Sequence, residues 1–388
     1  MREVSGQRPA AMLVTRNFPP LLGGMENVNQ RLLRELAQLG TVVLCGPEGC
    51  ELHSPEAAVV AESTLKPLPR FLIGATLRGL LMAFRLRPRL VMAGSGLTAP
   101  IAWIAARLTG ARVAVYLHGL DIIAPHLIYQ KFWLPFIRAC DVVLVNSSNT
   151  AALAIGRGVP LARVHILHPG TEVPTLDATV GATFRAGYGL SDRPIMLSVG
   201  RLTRRKGLAE FVSNAMPAIV ASHPSTLLVV VGEEASDALR TAAGSERDRI
   251  TAAARVAGVA ASVLLVGRCE QADLSAAYQA AQVHVFPVLE QAGDVEGFGM
   301  VALESAAHGL RTVAFRVGGI PDAVDEPNSG ILVRAGEYQE FSDAVIEILK
   351  SPNTAGDIAA SRQFAREKDW HHFGTNLRSI LAETSGCG

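Results

Sequence analysis

Asp294-Val295-Glu296-Gly297-Phe298-Gly299-Met300-Val301-Ala302-Leu303-Glu304 carries two carboxylates, Glu296 and Glu304, eight residues apart across a Gly-Phe-Gly. Glycine tolerates the dihedrals of a turn that opens a helix, so the first carboxylate is expected on a loop and the second two turns into the helix. Before the turn runs Val283-His284-Val285-Phe286-Pro287, an apolar run of strand length. After it, Met300-Val301-Ala302-Leu303 with Ala306 and Ala307 reads as a buried helix. Strand, glycine turn and helix together aim backbone N–H groups and the positive end of a helix dipole at an anion. The expected place for a phosphate is Phe298 to Met300.

The same alternation extends outward in both directions. In the second half the strands are expected at residues 195–199, 227–231, 263–266, 283–286, 312–315 and 331–333, with helices between them. In the first half they are expected at 10–15, 41–45, 90–93, 113–117, 142–145 and 164–167. The runs are short, apolar and β-branched, as strands buried on both faces should be. Between Pro169 and Leu190 the pattern lapses into Gly, Thr, Pro and Asp, which reads as a linker. The fold class is therefore α/β, with two doubly wound parallel sheets.

Composition narrows the function. At 388 residues, 49% of them apolar, the chain can bury a large core without disulfides. Its five cysteines, Cys45, Cys50, Cys140, Cys269 and Cys387, show no C-x-x-C spacing and fit a reducing compartment. No secretory signal is expected, and the 14-residue run from Phe71 to Phe84 is below the roughly 20 residues of a spanning helix. The net charge of +1 hides an asymmetry: residues 1 to 174 hold 17 Lys/Arg against 10 Asp/Glu, and the remainder is net acidic. No acid lies between Glu62 and Asp121, while Lys66, Arg70, Arg78, Arg85, Arg87, Arg89, Arg107 and Arg112 interleave with apolar residues. Region 63–112 therefore reads either as a surface for anionic lipid headgroups or as an amphipathic helix with a solvated basic face. Nucleic acid is disfavoured, because aromatics do not alternate with the basic residues.

Ligands of open α/β sheets bind at the carboxyl ends of the strands. The residues expected there are Gly23-Gly24, His118-Gly119-Leu120-Asp121, Asn146-Ser147-Ser148, Gly200-Arg201 through Lys206-Gly207, Gly232-Glu233, Gly267-Arg268 and the acidic stretch. Gly23 and Gly24 could hold a diphosphate or an anionic acceptor headgroup. Asn146 and Ser147 could touch an acceptor or cap the following helix.

Taken together, Gly23-Gly24-Met25-Glu26, His118-Gly119, Gly200-Arg201-Leu202 through Lys206-Gly207, the Glu296-x7-Glu304 pair and Gly318-Gly319-Ile320-Pro321-Asp322 resemble the retaining GT-B glycosyltransferases of family 4. The Asp294 to Gly299 run is most similar to the phosphatidylinositol mannosyltransferase-like branch. The resemblance implies two facing Rossmann-like domains. These are an acceptor domain over 1–175, rejoined by a helix over about 370–388, and a nucleotide-sugar domain over 190–368.

By the same resemblance Arg201 and Lys206 contact the donor diphosphate in place of a metal ion, so neither metal nor cofactor is expected. Fixed positive charge is also what bond breaking at a sugar diphosphate demands, and the Phe298, Gly299 and Met300 amides can add to it. The resemblance further has Glu304 bind the ribose, Glu296 approach the transferred sugar, and His118 lie beside the reacting sugar. Backbone contacts at Gly232, Gly267 and Arg268 are expected to select the base. Asp121, Asn146 and Ser147 are the acceptor candidates. A retaining glycosidase needs two carboxyl groups about 5 Å apart around the bond; here front-face substitution is expected instead, the leaving diphosphate taking the acceptor's proton.

The function expected is transfer of a hexose, mannose from GDP-mannose first, to a lipid-linked or polysaccharide-precursor acceptor on the cytoplasmic face of the membrane. The alternatives are a UDP-sugar donor, a UDP-sugar epimerase, and a non-catalytic nucleotide-sugar-binding subunit.

Overall fold

The computed structural model describes residues 8–234, 245–291, 293–351 and 353–384. Contacts divide them into two units. One holds the described residues up to Gly170 together with those from Trp370 onward, and the other is Thr171–Asp369.

In the first unit seven strands, β1 (Ala11–Val14), β2 (Val42–Pro47), β3 (Ala57–Ser63), β4 (Leu90–Ala93), β5 (Arg112–Leu117), β6 (Val142–Val145) and β7 (Val164–Ile166), lie in the order β3-β2-β1-β4-β5-β6-β7. Every pairing is parallel. The β-branched and leucine-rich runs of β1, β2, β4 and β6 are buried throughout. The strand β3 was not legible in the sequence, because it is a half-exposed edge whose Ala-Ala-Val-Val-Ala-Glu-Ser lacks a buried run. The helix Trp370–Glu383 buries Trp370, Phe373, Leu377 and Leu381. It packs on the helix Gly24–Ala37 through an Arg378–Glu35 ion pair and Arg31 over the Trp370 ring.

The second unit holds β8 (Ile195–Val199), β9 (Leu227–Val231), β10 (Val263–Gly267), β11 (Val283–Phe286), β12 (Thr312–Phe315) and β13 (Gly330–Val333), in the order β10-β9-β8-β11-β12-β13 and all parallel. Strand direction of growth reverses between β8 and β11, the switch point at which such sheets bind ligands. Apolar clusters cover both of its faces.

Two expectations need correction. The segment read as a linker contains the helix Ala178–Gly187, capped by the Asp177 side chain. It escaped detection because it has no apolar periodicity: its buried residues are Gly181 and Phe184, and a Cβ at Gly181 would stand 3.0 Å from the Gln279 carbonyl of the helix Gln271–Ala280. The helix after the Gly-Phe-Gly starts at Met300, so Glu304 is its fifth residue, one turn in rather than two.

Cys45, Cys50 and Cys140 are buried and free, with burial pushing each thiol up to about 12. Cys269 is partly exposed, and Cys387 lies outside the described residues. Among the described residues no helix is long and apolar enough to cross a membrane.

Candidate functional site

At the end of β8 the chain turns through Gly200 and runs to Gly207 in a loop riveted to its neighbours. Gly200 donates its N–H to Val231, Leu202 donates to Glu233, and Leu289, beyond β11, donates to the Arg205 carbonyl at 2.8 Å. Gly207 has φ 68°, and a Cβ there would lie 2.1 Å from the Pro287 carbonyl. Only glycine lets the loop come this close to the end of β11.

The close approach delivers two cations to the acidic stretch. Lys206 sets its ammonium 4.6 Å above the Phe286 ring and 2.8 Å from Glu296 Oε2. Arg205 donates to the same oxygen through Nη1 at 2.5 Å and forms an ion pair with Asp294, its Nε 3.2 Å from Oδ1. The side chains of Arg205, Lys206 and Glu296 are each about 15% exposed or less. Burial alone would raise the Glu296 carboxyl, but Lys206 and Arg205 outweigh it and hold the group at about 2. Burial lowers Lys206, helped by the Arg205 and Arg201 charges and opposed by Glu296. Arg201 itself is exposed, and it borders a small pocket with Ser198, Gly200, Lys206 and Phe286.

The backbone of Glu296 is fixed from behind. Gly319 donates to its carbonyl at 2.8 Å, and a Cβ on Gly318, at φ 56°, would stand 2.5 Å from that oxygen. The Gly-Gly of the Gly318–Asp322 motif thus carries the acidic loop. The turn residue Gly299 has φ 95°, and buried Phe298 anchors the turn in the core. Glu304 accepts from the buried Tyr278 hydroxyl at 3.1 Å, and burial raises its carboxyl against the pull of Tyr278 and Lys206. Tyr278 in turn stacks on His308, which hydrogen-bonds the Glu304 carbonyl at 2.8 Å and Ser275 at 2.9 Å. Gly232 is a packing glycine, where a Cβ would meet the Gly200 carbonyl at 1.9 Å; its N–H reaches the Gly267 carbonyl, and Arg268 is exposed.

In the first unit the crest is organised differently. His118 Nε2 lies 3.0 Å from the Gly94 carbonyl, which can only accept, so Nε2 carries the proton and a neutral ring keeps Nδ1 as acceptor. The ring leans on Tyr116. Asp121 spends one oxygen on the Gly96 N–H and the other on the His118 N–H. Asn146 donates to the His118 carbonyl and accepts from Thr150, while the buried Ser147 hydroxyl caps the helix Ser148–Gly156. The polar atoms of Asp121, Asn146 and Ser147, the acceptor candidates, hold together the turns after β4, β5 and β6. Gly23 and Gly24 are exposed at the start of the helix Gly24–Ala37.

Among the described residues no group of three or more His, Cys, Asp or Glu could hold a metal ion. Arg205, Asp294 and Tyr278 were not singled out from sequence as site residues. The doubled cation Arg204-Arg205 before Lys206 was visible in the sequence, but nothing in it marked Arg205 as the one that turns inward. No spacing pointed to Tyr278.

Two parallel-sheet units of this topology, each with its polar residues at the strand carboxyl ends, define a GT-B fold. The solved structure of Anabaena HepE in complex with UDP-glucose matches with a TM-score of 0.79 at 17% identity, covering 96% of this chain and 99% of that one. Sucrose-phosphate synthase from Thermosynechococcus elongatus matches with a TM-score of 0.77 at 22% identity, over 97% and 99%. The family model "Glycosyltransferase Family 4" covers residues 22–173 and "Glycosyl transferases group 1" covers residues 182–363. The GDP-mannose-dependent alpha-(1-6)-phosphatidylinositol monomannoside mannosyltransferase of Mycolicibacterium smegmatis is 28% identical over 96% of this chain and 98% of its own length. A GDP-mannose-dependent monoacylated alpha-(1-6)-phosphatidylinositol monomannoside mannosyltransferase of Corynebacterium glutamicum is 26% identical over 95% and 97%. The chain belongs to the GT-B glycosyltransferases of family 4, similar to their phosphatidylinositol mannosyltransferases, and its enzymatic class is hexosyltransferase.

Proposed function

We propose that this hexosyltransferase moves mannose from GDP-mannose, with retention, to a lipid-linked acceptor on the cytoplasmic face of the membrane. The observation that carries the reading is the near-complete alignment with relatives named as GDP-mannose-dependent mannosyltransferases. The charge arrangement supports it. Lys206, joined by the exposed Arg201, supplies fixed positive charge to a leaving diphosphate, where preorganised charge lowers the barrier most, and takes the place of a metal ion. The amides of Phe298, Gly299 and Met300 open a helix toward the same anion. Glu304, aligned by Tyr278, accepts from the ribose hydroxyls. Glu296 accepts from hydroxyls of the transferred sugar. In a front-face substitution the bond from the sugar's anomeric carbon to the diphosphate oxygen breaks as the acceptor oxygen forms its own on the same face. The acceptor's proton passes to the departing diphosphate.

Attachment to the membrane is supported by the helix Leu68–Leu86. Its residues Ile73, Leu77, Leu81 and Phe84, spaced 4, 4 and 3 apart, are 49–67% exposed. An exposed apolar stripe beside Arg70, Arg85 and Arg87, with no acid in the segment, suits an anionic lipid surface better than a solvated basic face.

The test is transfer from labelled GDP-mannose, UDP-glucose and ADP-glucose to phosphatidylinositol mannoside in anionic vesicles, with the product anomer read by NMR. Transfer of mannose with an α-linkage is expected. Turnover of a UDP-sugar alone would overturn the donor assignment, and release of free nucleotide without acceptor would point to an epimerase.

A further inference from the structure

Two cations converge on Glu296, and they are not equivalent. Lys206 reaches one carboxylate with a single point charge on a flexible stem. Arg205 faces two carboxylates, hydrogen-bonded to Glu296 through Nη1 and ion-paired with Asp294 through Nε, and its carbonyl is fixed by Leu289. A planar guanidinium holding two carboxylates is a far stiffer element than an ammonium holding one. We infer that Arg205 is the positioning residue of this site: it keeps Glu296 in place while Lys206 leaves that carboxylate for the donor's diphosphate. This rests on the reading above, in which Lys206 meets the diphosphate and Glu296 the sugar.

The charge balance explains why a second cation is needed. With Lys206 paired to Glu296, Arg205 and Lys206 match Asp294 and Glu296. Once Lys206 turns to the diphosphate, a Glu296 without Arg205 would be a buried carboxylate with no cation, which is strongly unfavourable, and it would compete with the diphosphate for Lys206. With Arg205 in place the exchange leaves every buried charge partnered. Lys206 and Arg205 are the charged groups that act on Glu296, and Glu296, Arg205 and Arg201 act on Lys206, whose charge in turn bears on His284 and Glu304. The Glu296–Lys206 contact is thus a placeholder, and the Glu296–Arg205 contact is permanent.

The experiment compares Arg205→Gln, Arg205→Lys and Lys206→Met in the full chain, each checked by circular dichroism and thermal melting. For Arg205→Gln a loss of kcat of about 30-fold or more is expected, with GDP weakened about 10-fold, less than in Lys206→Met, because Glu296 then competes for Lys206, and with the acid limb of the kcat profile moved up by about one pH unit. Arg205→Lys, able to meet only one carboxylate, should recover part of kcat, and Lys206→Met should weaken GDP at least 30-fold. Arg205→Gln weakening GDP as much as Lys206→Met, with kcat unmoved, would make Arg205 a diphosphate ligand and overturn the inference. An independent arm titrates Glu296 by 13C NMR of glutamate-labelled protein, assigned with Glu296→Gln. The carboxyl should titrate higher in Arg205→Gln, and an unchanged titration also overturns the inference. If the wild type transfers from no nucleotide sugar, the enzymatic reading has failed, and the carboxyl titration alone still decides whether Arg205 holds Glu296.

Discussion

The crests of the two units use polar residues in opposite ways. In the first, His118, Asp121, Asn146 and Ser147 bond almost wholly to main-chain groups or helix caps, so the bonds fix the shape of the turns. In the second, Arg205, Lys206, Asp294 and Glu296 bond to one another. A side chain that satisfies the backbone cannot be withdrawn without unmaking the turn, whereas an ion pair between side chains can be traded for a ligand of like charge. The crest with exchangeable partners is where an anionic donor can enter at least cost.

The contrast is broken most sharply at Lys206. Lys206→Met leaves Glu296 its Arg205 partner, so the unit should still fold, but the charge offered to a diphosphate is gone. Truncating one member of a buried, charge-assisted pair costs about 3 kcal/mol, so nucleotide-sugar affinity measured by calorimetry should fall roughly 100-fold. Affinity within threefold of wild type would mean that the second crest is as structural as the first.

Charge in the second unit also reaches into its sheet. His284 is fully buried in β11, bonded to Thr312 at 3.1 Å and stacked on Phe286. Burial, reinforced by the Lys206 charge, lowers its imidazole to about 3. Its folded value is below that of the unfolded chain, so its contribution is fully present above about pH 6.5 and is lost as pH falls from there toward 3. One extra proton on the unfolded state costs about 1.4 kcal/mol per pH unit, or about 2 kcal/mol between pH 7 and pH 5. Urea unfolding at those two values should show that loss in the wild type and not in His284→Asn.

The sequence disclosed most of the sheet skeleton because both sheets are built from runs buried on two faces, such as Val142–Val145 and Leu227–Val231. The edge β3 and the helix Ala178–Gly187 were missed because neither depends on a conspicuous apolar run. The site was legible where chemistry forces a residue type: glycines at the close approaches of 207 and 299, and carboxylates eight apart. It was illegible where one side chain suits two jobs. Asn146 and Ser147 have the same letters whether they cap a helix or bind a sugar, and nothing in Arg204-Arg205-Lys206 says which cations turn inward. Those choices are made by neighbours distant in sequence, Asp294 for Arg205 and Val301 with Glu304 for Tyr278.

The structural character of the first crest is tested by Asp121→Asn. The amide keeps the size of the carboxylate, but its nitrogen cannot accept, so one of the two N–H groups of Gly96 and His118 loses its partner. A lost bond of this kind costs about 1.5 kcal/mol, which should appear as a lower urea midpoint. GDP affinity should not move, because nothing at the second crest has been altered. A large drop in GDP affinity with unchanged stability would give Asp121 a ligand role.

The smallest effect is the most discriminating for the acceptor. Ser147 is fully buried, its hydroxyl accepting from the Thr150 N–H at 3.2 Å and bonding the Thr150 hydroxyl at 3.1 Å. Removing an N-cap costs about 1 kcal/mol, so Ser147→Ala should lower the urea midpoint slightly while leaving the acceptor KM unchanged. Asn146 would still accept from the Thr150 hydroxyl and hold the His118 carbonyl, so the crest should keep its shape. A rise in acceptor KM without loss of stability would place the Ser147 hydroxyl against the acceptor and erase the distinction between the two crests. Loss of stability alone would leave that distinction standing.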